Sequence, residues 1–221
     1  MIDLVIFDCD GVLIDSEIIS ARMLVAALAQ LGVQIDLAYV GTHFLGRSYP
    51  VVMQQIRREF GLELPGDFED QYRARLMQAF DTQLTIMPHV RGVMDQLARP
   101  YCIATSSSPK RVEHSLTLVG LQHLLGPRLF TSTMVARGKP APDLFLHAAQ
   151  VMGADPARCL VIEDSLMGVK AGLAAGMQVW RFVGGSHLQD ADPDAPADCR
   201  AHLQFASFAD FFDLDPTLKA P

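Results

Sequence analysis

Five short apolar runs, separated by helix-patterned sequence, constrain this chain more than any other feature: Leu4–Phe7, Tyr101–Ala104, Leu129–Phe130, Cys159–Ile162 and Met177–Trp180. Runs without polar alternation are strands buried on both faces. Strands that alternate with helices build a parallel sheet covered on both sides. The first four runs are followed by Asp8/Asp10, Ser106/Ser107, Thr131/Ser132 and Glu163/Asp164. Ligands of open α/β sheets bind outside the carboxyl ends of the strands, so these polar residues are expected along one shared edge.

The stretch from about Ser16 to Leu84 reads differently. Ser16 suits the N-cap of a helix with apolar positions Ile19, Met23, Ala26, Ala27 and Leu31, stopped by Gly32. Further helices are predicted over Asp36–Phe44, from Ser48-Tyr49-Pro50 to Phe60 before Gly61, and over Asp67–Phe80, which carries Arg73 and Arg75. No strand pattern occurs there, and Pro88 marks the return to the sheet. The expected organisation is an α/β core from residues 1–15 and 85–221, interrupted by an all-helical segment at 16–84. Beyond about Gly184 the chain turns polar and rich in Asp and Pro, then ends in a small apolar segment, Phe205–Leu214.

At 221 residues and 50% hydrophobic content, the chain can bury a sizeable core. Its net charge of −7, without a Lys/Arg block, argues against nucleic-acid binding. No apolar run is long enough for a membrane helix. Asp3, Asp8 and Asp10 interrupt the N-terminal stretch, which is not expected to be a signal peptide. Cys9, Cys102, Cys159 and Cys199 are scattered and read as reduced core thiols of a cytoplasmic protein, with a monomer as the default state. Strand alternation turns Cys9 away from its two aspartate neighbours.

Asp8 and Asp10 are costly to bury at a strand end unless a cation lies between them, and the pair suits a Mg²⁺ site with one carboxylate free to attack. Gly11 lets the backbone turn tightly beside them. Asp8 is the expected nucleophile toward phosphorus, and Asp10 the group that protonates the leaving oxygen and then helps deprotonate water. Asp-x-Asp-Gly also opens calcium loops, but the position where such a loop needs Glu holds Ile19. Ser106 is expected to hold the phosphoryl group, with Ser107 beside it, Ser108 as N-cap and Pro109 at the first helical position. Lys139, stiffened by Pro140 and Pro142, can hold phosphoryl oxygens and offset the charge of Asp8. Asp164, with Asp8 and the Asp10 carbonyl, can complete the protein share of an octahedral oxygen shell; Glu163 joins it directly or through water. The histidines show no metal spacing, and whether His187 approaches this edge is left open.

These elements resemble, in order, the four signature motifs of the haloacid dehalogenase-like hydrolase superfamily. Asp8/Asp10 match the first, Ser106 the second, Lys139 the third and Glu163/Asp164 the fourth. The segment Asp-Cys-Asp-Gly-Val-Leu-Ile-Asp-Ser-Glu is similar to the sugar-phosphatase and β-phosphoglucomutase branch. The resemblance implies a Rossmann-like sheet of order 5-4-1-2-3. It also implies a C1-type helical cap that closes over the substrate, and small residues in Gly168-Val169-x-Ala171-Gly172 for close helix–sheet packing.

Phosphoglucomutases carry a cap-hinge histidine where this chain has Ser20, which favours net hydrolysis. The nearest match is to small sugar-phosphate phosphatases of the 6-phosphogluconate phosphatase kind. The alternatives are a β-phosphoglucomutase-like phosphotransferase or a phosphometabolite-binding module. Gly46-Arg47-Ser48 resembles a substrate-specificity loop, in which Arg47 would meet a carboxylate or second phosphate. Arg73 and Arg75 read more simply as a solvated helix face.

Overall fold

The computed structural model describes residues 1–189 and 196–221; part of the Asp/Pro-rich tail, 190–195, lies outside the described residues. Strand β1, Leu4–Phe7, is buried at every position. Its side chains divide by parity: Val5 and Phe7 enter one apolar cluster, Leu4 and Ile6 the other. Helices follow at α1 (Glu17–Ala29), α2 (Leu37–His43), α3 (Tyr49–Phe60) and α4 (Phe68–Gln83). The chain then returns through α5 (Val90–Gln96), β2 (Tyr101–Thr105), α6 (Pro109–Leu118), β3 (Leu129–Thr131) and α7 (Asp143–Val151). It ends with β4 (Cys159–Glu163), α8 (Leu166–Ala174), β5 (Gln178–Phe182), β6 (Leu203–Phe205) and the short α9 (Phe211–Leu214).

The strands form a parallel sheet of order β3-β2-β1-β4-β5-β6. This keeps the expected sequence of the first five strands and corrects it by one. Leu203–Phe205, of which only Phe205 was expected, as the start of the apolar segment Phe205–Leu214, pairs with Trp180–Phe182 as a sixth strand. Three residues are too few to show a period. The strand is held instead by aromatic contacts of Phe205 with Trp180 at 6.3 Å and Phe182 at 5.3 Å between ring centroids.

Helices α5 and α6 cover one face of the sheet with Val90, Val93, Val112 and Leu116. Helices α7 and α8 cover the other with Leu144, Phe145 and Val169. The helical insertion has its own apolar cluster, centred on Leu28, Met53, Ile56, Leu76 and Phe80. Fully burying each such side chain contributes about 1.5–3 kcal/mol, so the insertion carries a core beside that of the sheet.

Register sets the site. Phe7 pairs with both Ile103 and Ile162, so Asp8, Thr105 and Glu163 leave three adjacent strands at nearly the same height. Among the described residues, no helix is long and apolar enough to cross a membrane.

Candidate active site

The carboxyl edge of β1, β2 and β4 forms the floor of a cavity of about 840 Å³. Asp8, Asp10, Ser106, Ser107, Lys139, Glu163 and Asp164 line it from the sheet side, and Arg47, Tyr49, Tyr72 and Arg73 from the insertion.

Lys139 lies at the centre, its side chain only 1% exposed. Its Nζ donates to Asp8 Oδ1 at 2.6 Å, to Glu163 Oε1 at 2.6 Å and to the Ala104 carbonyl at 3.0 Å, which uses all three of its protons. Burial works against its charge, but Asp8 and Glu163 hold its pKa above the ordinary value. The Asp8 pKa is raised as well, which here disfavours its charge: burial is the main cause, Lys139 opposes, and Glu163, Asp164 and Asp10 add repulsion.

Asp8, Glu163 and Asp164 are buried, and each offers a carboxylate oxygen within 4.8 Å of the others. Lys139 is the cation between two of them, so the trio carries excess buried negative charge. Asp164 is also held well above its ordinary pKa, by burial first and by Glu163 next. Such an all-oxygen cluster fits a hard divalent cation. Its members are not equivalent. Glu163 Oε2 accepts from the Ser165 amide at 2.8 Å and hydroxyl at 3.0 Å, while Oε1 faces Lys139. Asp8 and Asp164 are freer to ligate.

Gly11 makes this approach possible. Its φ is +78°, and a Cβ there would lie 2.0 Å from Asp164 Oδ2. Gly46 does the same for the insertion: a Cβ would stand 2.3 Å from Ser165 Oγ, so the Gly46-Arg47-Ser48 loop rests directly on the start of α8.

Asp10 is separately held. Oδ1 accepts from Ser16 Oγ at 2.6 Å and Arg111 Nη2 at 2.7 Å, and Oδ2 from Ser107 Oγ at 2.6 Å and Thr105 Oγ1 at 3.4 Å. Burial raises its pKa, yet Arg111, Ser107 and Ser16 together bring it below the ordinary range. Ser106 lines the cavity with its carbonyl fixed by Ser132 Oγ at 3.0 Å.

One expectation changes in detail, one is extended and one open question closes. Ser16 precedes α1 but makes no side-chain cap, because its hydroxyl is spent on Asp10; a hydrogen bond to a buried carboxylate outweighs one to a peptide N–H. Arg73, read as part of a solvated face, is exposed and paired with Glu69 one turn away, and it also lines the cavity, with its guanidinium 4.9 Å from the Tyr49 ring centroid. Arg75 does face outward and donates to Gln30 at 3.0 Å. His187 comes to the site: its Nε2 lies 2.8 Å from Asp164 Oδ2, out of line for a hydrogen bond. Burial holds its pKa down, against the pull of Glu17 and Asp15.

Arg111 was not among the expected residues. A signal was present, since Lys110 and Arg111 stand in the first turn of α6, where positive charge opposes the helix macrodipole. The four cysteines are buried and unpaired, as read from their spacing.

A profile of the haloacid dehalogenase-like hydrolase family matches residues 2–176. The chain is 30% identical over 187 residues to the 6-phosphogluconate phosphatase of Escherichia coli K12, covering 84% of this chain and 85% of that protein. A crystal structure of a haloacid dehalogenase-like protein of unknown function from Agrobacterium tumefaciens superposes with a TM-score of 0.84 at 33% identity, over 98% of this chain and 99% of the other. A hydrolase of the same family from Deinococcus radiodurans, solved with bound phosphate and sodium, gives 0.77 at 33% identity, over 100% of this chain and 98% of the other. The order of the motifs, the sheet and these likenesses agree: the chain belongs to the haloacid dehalogenase-like hydrolase family.

Proposed function

We propose that this protein is a Mg²⁺-dependent phosphatase of a small phosphorylated sugar or sugar acid, acting through an aspartyl-phosphate on Asp8. The observation that carries this reading is the separation of two carboxylates at one strand end. Asp8 faces Lys139 and the acidic cluster, whereas Asp10 is held apart by Arg111 and hydroxyl donors. Membership in a hydrolase family, with a 6-phosphogluconate phosphatase among its relatives, supports phosphoric monoester hydrolysis.

In this reading an Asp8 oxygen attacks phosphorus, the bond to the leaving oxygen breaks, and Asp10 supplies the proton that oxygen needs. Asp10 first takes up that proton in place of a hydroxyl donor such as Ser107, since its present donors keep it ionised. Water then attacks the phosphoryl group on Asp8 and gives its proton to Asp10, releasing phosphate and regenerating the Asp8 carboxylate. Ser106 holds phosphoryl oxygens, with Ser107 and Gly11 beside it, and Lys139, its three protons spent on Asp8, Glu163 and the Ala104 carbonyl, lends its positive charge to them. Asp8, Asp164 and the Asp10 carbonyl would hold Mg²⁺, with Glu163 behind it. Bound there, the metal would neutralise charge on the transferring group and align it with Asp8.

Residues 16–84 act as a cap domain on a core of 1–15 and 85–221. Arg47 and Arg73, at the cap side of the cavity, suit a substrate with a second anionic group. Ser20 supports hydrolysis over a mutase reaction. Its hydroxyl donates to the Ser16 carbonyl at 2.9 Å and accepts from Arg111, and it offers no base at the hinge. The buried free thiols suit a reducing compartment such as the cytoplasm.

The test is phosphate release from a panel of phosphorylated sugars and sugar acids, with Mg²⁺, with EDTA and with Asp8→Asn. Release is expected only from the wild type with metal. Activity that survives both EDTA and the substitution overturns the reading. Interconversion of sugar phosphates dependent on a bisphosphate primer, without net release, would make the protein a mutase instead.

A further inference from the structure

Arg111 occupies its position at a cost. It opposes the dipole of its own helix, its side chain is only 24% exposed, and its Nε is buried without a partner. What it gains lies across the junction between sheet and insertion. Nη2 donates at 2.7 Å to Asp10 Oδ1 and at 3.1 Å to Ser20 Oγ, and the guanidinium lies 5.2 Å from the Phe80 ring centroid. Ser20 belongs to α1 and Phe80 to α4, the first and last helices of the insertion. Ser20 donates to the Ser16 carbonyl, and the Ser16 hydroxyl donates back to Asp10 Oδ1. Asp10, Arg111, Ser20 and Ser16 therefore form a closed circuit at the point where the chain leaves the core.

We propose that Arg111 is a positioning residue that sets the orientation of the Asp10 carboxylate, taking its own support from the seating of α1 and α4. This rests on the reading of Asp10 as the proton-transfer group. Arg111 touches that carboxylate and moves no proton itself. Cap seating and proton transfer are then linked through one side chain: if α1 shifts, Arg111 loses Ser20, and Asp10 loses the donor that aims it.

The consequence can be read from the leaving group. Misplacing Asp10 matters where the departing oxygen must be protonated and hardly where it leaves as a stable anion. The value of kcat/KM covers only the steps up to phosphorylation of Asp8, so it isolates this half-reaction. We would measure it for p-nitrophenyl phosphate, phenyl phosphate and 6-phosphogluconate with wild type, Arg111→Met, Arg111→Lys, Ser20→Ala and Asp10→Asn, with melting curves to confirm folding. Met keeps an apolar stem against Phe80; Lys keeps the charge without the fork.

Arg111→Met is expected to lower kcat/KM roughly 10- to 100-fold for phenyl phosphate and 6-phosphogluconate, and only a few-fold for p-nitrophenyl phosphate. Asp10→Asn should show the same selectivity more strongly, Ser20→Ala more weakly, and Arg111→Lys should recover part of the loss. An equal loss on all three substrates in folded Arg111 variants, beside a selective loss in Asp10→Asn, overturns this proposal and leaves the phosphatase reading standing. A folded wild type that releases phosphate from none of them overturns both.

Discussion

Lys139 Nζ stands 2.6 Å from Asp8 Oδ1 and 2.6 Å from Glu163 Oε1, so one buried ammonium serves the carboxylate just beyond β1 and the acidic end of β4. Removing it leaves those carboxylates facing one another. Lys139→Met should lower the unfolding free energy of the metal-free protein by about 3–5 kcal/mol, the scale for breaking a buried ion pair. Turnover should fall roughly 10²- to 10³-fold. Urea titration in EDTA and a phosphate-release assay read the two effects; a variant near wild type in turnover would remove Lys139 from the reaction.

Divalent cation should stabilise the fold through Asp164 more than through Glu163, because both Glu163 oxygens are already engaged by Lys139 and Ser165. A ligand at 100 times its Kd adds about 2.7 kcal/mol, which a thermal melt resolves easily. Wild type should gain melting temperature in Mg²⁺ relative to EDTA, Asp164→Asn should lose that gain, and Glu163→Gln should keep most of it from a lower starting point. If Mg²⁺ leaves the wild-type melt where EDTA leaves it, the acidic cluster is not a metal site.

Glu17, the first residue of α1, makes stability depend on pH in a defined direction. Burial, then the charge of Asp10, raises its pKa from 4.5 to about 7, with Arg111 opposing. Between those values the folded protein keeps a proton that the unfolded chain has released. Stability from this group is therefore lost as pH rises through the window. Glu17→Gln should remove the dependence, gaining on the order of 2 kcal/mol over wild type from pH 4.5 to 8 once partial exposure is allowed for. Urea midpoints in EDTA across that range are the measurement, and parallel curves for the two proteins would contradict it.

Arg47 lines the cavity from the loop that rests on Ser165. A contact made equally in ground and transition states changes KM without changing kcat. Arg47→Ala should raise KM for an anionic sugar phosphate about tenfold, the scale of one exposed charged hydrogen bond, with kcat little altered. It should leave p-nitrophenyl phosphate almost untouched. A fall in kcat on both substrates would place Arg47 in the chemistry instead.

Much of this architecture is legible in the chain because its determinants are local or periodic. Leu4–Phe7 and Cys159–Ile162 are unbroken apolar runs that only a buried parallel strand accommodates, and Ser108-Pro109 starts α6 with its side-chain cap in place. The short strand Leu203–Phe205 escapes such reading because its partners, Trp180 and Phe182, lie more than twenty residues away. Ser16 is misread for a related reason: a serine before a helix is locally a cap, and only the fold brings the Asp10 carboxylate within 2.6 Å of it.

The sequence by itself determined the parallel α/β core, the helical insertion and the chemical inventory of the sheet edge. Each follows from apolar periodicity and from which residues follow a strand. Tertiary structure alone decided what surrounds Asp8 and Asp10. Two carboxylates two residues apart are locally alike, and what separates them is company from distant chain. Lys139 arrives 131 positions later to meet Asp8, and Arg111 arrives 101 positions later to meet Asp10. Because buried charge is governed by its nearest partners rather than by its sequence neighbours, the electrostatic difference between the aspartates appears only when those partners are folded against them.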